Sequence, residues 1–178
     1  MIAIVFFKKA DNELFAKLKG RLEGVFQSED FSDSVLSLPL PLAAFNKKRR
    51  QYNSPEILRG MLDNSVLEDY NKVLGIVDED LYTANLNFVF GQADSVGGKV
   101  CLVSAKRLYQ SFYNLPENAV LFLMRLSKEA AHEIGHLLGL VHCHNKSCVM
   151  TYSESIREVD FKRGQFCSVC RDKIKEKY

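Results

Sequence analysis

The stretch AAHEIGHLLGLVHCHNKSCVM, residues 130–150, decides how this chain is read. It contains all four histidines of the 178-residue sequence, at 132, 136, 142 and 144, and two of its five cysteines, at 143 and 148. Its centre spells H-E-x-x-H-x-x-G-x-x-H, with His132, Glu133, His136, Gly139 and His142 at the specified positions. Residues four apart on a helix leave the same face one turn apart, so His132 and His136 can offer two nitrogens to one zinc at about 2.0–2.1 Å each. His142 can join them only if the chain turns back, because on a continued helix it would lie about 15 Å along the axis from His132. Gly139 supplies the reversal, since glycine accepts the left-handed conformation that ends helices.

Three neutral ligands leave one zinc position free for water, whose pKa the metal lowers toward about 7. Glu133 follows His132 directly, so its carboxylate falls beside the metal, where a general base belongs. Taken singly, a histidine is more often structural, a glutamate a surface charge, and a glycine a plain helix stop. Five specified positions together point to a catalytic zinc on His132, His136 and His142, in a pattern known from zinc peptidases. The expected reaction is hydrolysis of a peptide bond in a peptide or protein substrate, by a zinc-bound water that Glu133 activates.

Cys143 and Cys148 are followed, after eighteen intervening residues, by Cys167 and Cys170. The C-x4-C and C-x2-C pairs can each clasp a metal, and four thiolates make a closed, structural zinc site. Free buried cysteines or disulfides are the plain alternative. The chain is thus expected to carry two zinc ions, one catalytic and one structural. Because Cys143 adjoins His142, the second zinc would clamp the returning chain. His144 is left spare by this pairing and is expected to be a partly exposed polar residue. Cys101, in a strand pattern, is expected to be a small core hydrophobe. Met150 is either core filling or a Met-turn residue, an apolar floor beneath the histidines.

The rest of the chain bounds the class. Net charge is +2, from 24 Lys and Arg against 22 Asp and Glu, too mild to imply nucleic-acid or membrane binding. The run NKKRRQYN, residues 46–53, is read as a solvated loop or rim. The start, MIAIVFFKKADNELF, lacks a basic region ahead of its apolar run and reads as a buried strand rather than a signal peptide. A cytoplasmic monomer is expected, with cysteines kept as ligands or free thiols. From Asp11 as N-cap, apolar residues from Leu14 to Phe26 fall on one helical stripe. SPEILRGML suggests a helix with Ser54 as cap and Pro55 at the first position, and a long helix runs from Asn118 to about Leu138. KVLGIVDEDLY, NLNFVFGQAD and residues 99–104 read as strands. Strands alternating with helices make residues 1–178 a single three-layer α/β domain with a mixed β-sheet.

HEIGHLLGLVHCHNKSCVM followed by FCSVC resembles the archaemetzincins, a branch of the metzincin zinc peptidases. His132, Glu133, His136, Gly139, His142, Cys143, Cys148, Met150, Cys167 and Cys170 carry the resemblance, and NFVFGQAD and RRQYNSPEIL are similar to family segments less specifically. The resemblance implies a compact metzincin-like domain with a mixed sheet, an active-site helix bearing the first two histidines, a Met-turn and a structural four-cysteine zinc. By analogy, GGKVCLVS, residues 97–104, would be the sheet edge above the cleft, to which an extended peptide could add as a strand. The family's aminopeptidase-like members imply a possible exopeptidase. The alternative is a zinc-dependent binding or regulatory protein on a peptidase scaffold, but such a protein has no need of a base at Glu133. A zinc knuckle that binds nucleic acid would leave the histidine–glutamate motif without a role.

Overall fold

Every residue of Ile2–Phe7 is buried, because this first strand is covered on both faces. In the computed structural model, which describes residues 1–8 and 11–176, the strand (β1) lies inside a five-stranded sheet of order β2-β1-β5-β9-β8. β2 is Leu36–Leu38, β5 Lys72–Val77, β8 Gly91–Ala93 and β9 Val100–Ser104. The first four strands of that order are parallel and β8 alone is antiparallel. Ile2, Ile4 and Phe6 face one side, against helices α1 (Asn12–Val25) and α3 (Ala119–Leu137). Ala3, Val5 and Phe7 face the other, against helix α2 (Ser54–Leu62) and a second sheet. This is the three-layer α/β arrangement expected, with a mixed sheet at its centre. No helix among the described residues is long and apolar enough to cross a membrane.

The second sheet has four short strands in the order β3-β4-β6-β7, namely Phe45–Asn46, Gln51–Asn53, Leu81–Thr83 and Leu86–Val89. It splits the expected strand NLNFVFGQAD in two. Leu86–Val89 pairs in the small sheet, and two residues later Gly91–Ala93 pairs in the large one. The expectation that residues 97–104 form the sheet edge is therefore corrected. Val100–Ser104 is wholly buried between β5 and β8, and β8 is the edge. A strand buried on both faces reads as a continuous apolar run, which is what VCLV is; the short, polar GQA is an edge strand.

Helix starts follow their caps. Asp11 accepts from Leu14 N–H and Asn118 from Leu121 N–H, as expected. The cap of α2 is Asn53, which accepts from Glu56 N–H, and not Ser54. Ser54 is fully buried, and its hydroxyl donates to the carbonyl of Tyr82. A buried hydroxyl is costly without a partner, so tertiary contact takes it away from capping.

The end of α3 sets the site. Gly139 has φ of 89° and donates to His136 O at 2.9 Å, while Leu140 donates to Gly135 O at 3.0 Å. These two bonds are a Schellman turn, which satisfies the last carbonyls and reverses the chain. The returning segment is then bolted to α3 from below. Arg125 forks onto Asp160 at 2.7 Å through Nε and Nη2, and Lys128 donates to Val159 O and Asp160 O. Those partners lie in and beside helix α4 (Ile156–Phe161), which leads into α5 (Ser168–Lys175).

Gly139→Ala is expected to destabilise the protein by about 1–2 kcal/mol, the cost of a side chain in the left-handed region. Gly20→Ala, in the open interior of α1, is expected to be neutral or stabilising. Urea melts of the two variants check this, and equal stability would remove the turn from its role.

Candidate metal centre

Helix α3 carries His132 and His136 on the face that looks into a cleft, a cavity of about 510 Å³. The Schellman turn brings His142 back to them. Its ring lies 5.3 Å from that of His132 and 4.9 Å from that of His136, centroid to centroid. One nitrogen from each of the three lies within 4.8 Å of the other two. Backbone carbonyls set the tautomers of the first two. His132 Nδ1 is 2.8 Å from Val149 O, and His136 Nδ1 is 2.8 Å from Leu140 O. A carbonyl can only accept, so each Nδ1 carries the proton and each Nε2 offers a bare lone pair.

Those two Nε2 atoms are 3.1 Å apart. In the neutral rings neither has a hydrogen to give the other, so the approach is repulsive unless a cation lies between them. Burial holds His132 well below the usual histidine range and also lowers His136 and His142, which favours the neutral, ligating form. Two nitrogens about 2.05 Å from a tetrahedral zinc would sit about 3.3 Å apart. The residues fit zinc.

Glu133 lies one residue on, with its carboxylate pressed against β8. A Cβ on Gly91 would come within 2.6 Å of Glu133 Oε1. Burial first, and the charge of Glu129 second, push its carboxyl well above the usual range, against the pull of Lys162. Glu129 and Lys162 form a buried ion pair at 2.8 Å, four per cent and one per cent exposed. Nothing in the sequence pattern marked this pair, because its members are 33 residues apart and lysine is seldom buried. Tyr152 was not marked either; its ring is 5.1 Å from that of His142 and lines the cavity.

Met150 is fully buried under the histidine-bearing turn of α3. A Cβ on Gly135 would come within 2.4 Å of its sulfur. A glycine inside a helix costs about 1 kcal/mol relative to alanine, so Gly135 was a signal of close approach that the sequence reading left unused.

The four cysteines expected as a set come together. The Sγ atoms of Cys143, Cys148, Cys167 and Cys170 lie within 4.8 Å of one another, and none is in a disulfide. The Sγ atoms of Cys143 and Cys167 are 3.8 Å apart, near the value of about 3.75 Å for two thiolates on a tetrahedral zinc. The Cys167 N–H donates to Cys148 Sγ at 3.3 Å. The Cys167 thiol is lowered to about 7, chiefly by the backbone N–H of Cys170, while burial pushes Cys148 and Cys170 up. The cluster is tied to the histidines by the backbone, where Cys143 N–H donates to Met150 O at 2.9 Å. His144 is exposed and outside both clusters, and Cys101 is buried in the core, as expected.

Comparison with known proteins shows the family and the fold. The profile of Peptidase family M54 matches residues 36–176. An archaemetzincin of Methanocaldococcus jannaschii is 41% identical over 167 residues, spanning 94% of this chain and 88% of that protein. The crystal structure of an archaemetzincin from Methanopyrus kandleri superposes with a TM-score of 0.86 at 31% identity, covering 99% of this chain and 94% of the other. A zinc-dependent peptidase from Methanocorpusculum labreanum superposes with a TM-score of 0.85 at 28% identity, covering 98% of this chain and all of the other.

Gly135→Ala is expected to displace Met150 and to cost about 1–3 kcal/mol by overpacking. Adding Met150→Ala should recover part of that loss. Stabilities of the two single variants and the double variant form the check, and strict additivity would show that the residues are not in contact.

Proposed function

The chain belongs to peptidase family M54 and is a zinc metallopeptidase, and from this premise we propose how its residues divide the work. His132, His136 and His142 hold the catalytic zinc, and Cys143, Cys148, Cys167 and Cys170 hold a second, structural one. The observation that carries the reading is the pair of bare Nε2 lone pairs, 3.1 Å apart, opening on the same cavity as Glu133. Zinc bound there supplies Lewis acidity, polarising the carbonyl of the peptide and acidifying water.

Glu133 does the proton work. A carboxylate raised by burial is a stronger base than an exposed one, and the ideal catalytic pKa lies near the working pH. Its Oε atoms take the proton from the attacking water and deliver it to the leaving nitrogen. The carbonyls of Val149 and Leu140 hold the first two imidazoles in the ligating tautomer. Met150 fills the floor beneath them and keeps α3 and the returning chain at a fixed separation.

The finer readings rest on the same features. The whole chain, residues 1–178, works as one domain. The proposed state is a monomer acting on peptides, and a net charge of +2 is too mild to draw a nucleic-acid or membrane partner. A thiolate ligand set is preserved in a reducing compartment, which supports the cytoplasm. An aminopeptidase-like mode belongs to the same reading.

Glu133→Gln is expected to keep its zinc, because Glu133 is not a ligand, and to lose activity by about 10²–10⁴-fold. Unchanged turnover in the pure variant would remove Glu133 from this role. Elemental analysis should find two zinc ions per chain. Cys170→Ser should lower the melting temperature and weaken the histidine site, because Cys143 and Met150 share a backbone hydrogen bond beside His142. Wild-type melting and full activity with one zinc would separate the two sites.

A further inference from the structure

The outer wall of the cleft is the β6–β7 hairpin, residues 81–89, which faces the histidines across the cavity and presents Leu86, Phe88 and Val89 to it. Phe90 follows, packed edge-to-face on Phe88 at 5.2 Å. β6 is paired to β4, but β7 is the edge strand of that sheet and pairs with β6 alone among the described strands, so its position depends on what else holds it. Side chains from the run NKKRRQYN and its neighbours do so. Arg49 donates through Nη2 to Leu86 O at 3.1 Å and Asn87 O at 3.0 Å, and through Nε to Gln51 Oε1 at 3.0 Å. Its guanidinium also lies 4.3 Å from the centre of the Tyr82 ring. Gln51, buried, donates to Asn87 O and to Asp80 Oδ2, both at 2.9 Å. Asp80 in turn takes a two-pronged bond from Arg107 at 2.7 and 2.8 Å. The Arg107 guanidinium lies 3.9 Å from the centre of the Phe88 ring, directly behind the wall.

We propose that Arg49, Gln51, Asp80 and Arg107 form a brace that positions this hairpin, and that the wall so held selects peptides with an apolar side chain beside the scissile bond. This deepens the peptidase reading and rests on it. The wall is aliphatic and aromatic. A charged substrate side chain set against it would lose water without gaining a partner, because Leu86, Phe88 and Val89 offer none. None of the four brace residues lies among the proposed metal ligands or supplies the base. They are positioning residues, acting on substrate only through Phe88 and its neighbours. The brace also explains why a charge run read as a solvated rim has a directed member. Lys47, Lys48 and Arg49 are all exposed, but Arg49 donates to two carbonyls through Nη2 and at once to Gln51 through Nε, two donor positions that the single nitrogen of a lysine does not offer.

The test uses zinc-loaded full-length protein and hexapeptides varied at one position at a time among Leu, Phe, Lys and Asp. In a Glu133→Gln background, which binds without turning over, calorimetry should show Leu or Phe preferred over Asp by at least tenfold at one position, the size expected of an apolar pocket. Arg49→Ala in that background should shrink the preference to below about threefold, and Arg49→Lys should restore it only in part. Phe88→Ala should abolish it. With Glu133 intact, Arg49→Ala should raise KM for the preferred peptide about tenfold and change kcat less than twofold, with zinc content and melting temperature near wild type. The proposal is overturned if no peptide binds, if binding shows no apolar preference, or if the preference survives both Arg49→Ala and Phe88→Ala. A loss confined to kcat overturns it too. If Arg49→Ala lowers the melting temperature sharply, Phe88→Ala and Gln51→Glu decide by the same binding ratio. Binding preference with no turnover in the intact protein would instead sink the peptidase reading and leave the wall standing.

Discussion

Two ring nitrogens that can only accept face each other across 3.1 Å, and much of the surrounding structure serves to keep them there. The Val149 and Leu140 carbonyls fix the tautomers, and both belong to the chain that returns after the helix. That return depends on Gly139 in the left-handed region, which in turn needs the Gly135 carbonyl as partner for Leu140. Gly135 serves a second purpose, since its missing side chain is the space Met150 occupies. A helix end, a reversal and a floor are thus one construction. Together they bring three imidazoles to one point, where they could hold a cation.

The second cluster works on the same construction from outside. Cys143 adjoins His142, and Thr151 adjoins Met150; the Thr151 hydroxyl donates to the carbonyl of Cys143 at 3.2 Å. Between Cys148 and Cys167 the chain passes through α4, which Arg125 and Lys128 of the histidine-bearing helix hold by side-chain bonds. The four cysteines therefore bracket a loop whose middle, α4, is fixed to α3. A metal on the four thiolates would reduce the freedom of His142, the one member of the histidine trio whose ring nitrogens find no backbone partner among the described hydrogen bonds.

The cleft has a different character on each side. Beneath it lie imidazoles and buried charge, with Glu133 set against Gly91 of the edge strand and Lys162 balancing Glu129. A buried lysine–glutamate pair is seldom a net source of stability, because desolvation offsets the attraction. Its place beside the base gives it an electrostatic use, since the Lys162 charge opposes the effect of Glu129 on Glu133. Above lies an apolar hairpin that belongs to the second sheet and is held by a polar network. On the proposed reading, chemistry and recognition are carried by separate layers, joined where the chain crosses from Val89 to Gly91.

The sequence by itself determined what depends on local spacing. Positions four apart on a helix share a face whatever surrounds them, so His132 and His136 were legible as a pair, and Gly139 as the reversal that admits His142. Cysteine spacing was legible for the same reason, as were the capped starts at Asp11 and Asn118 and the buried first strand. Only the tertiary structure decided what depends on contacts between distant residues. Pairing partners made β8 the edge and placed 100–104 inside the sheet, a matter of neighbours that an apolar run cannot specify. Burial of its hydroxyl took Ser54 away from capping and left that role to Asn53. Lys162 meets Glu129 across 33 residues, and Arg49 meets Leu86 and Asn87 across nearly forty. Such contacts leave no periodic trace, because the energy of a buried charge or a braced hairpin is set by what the fold brings alongside it.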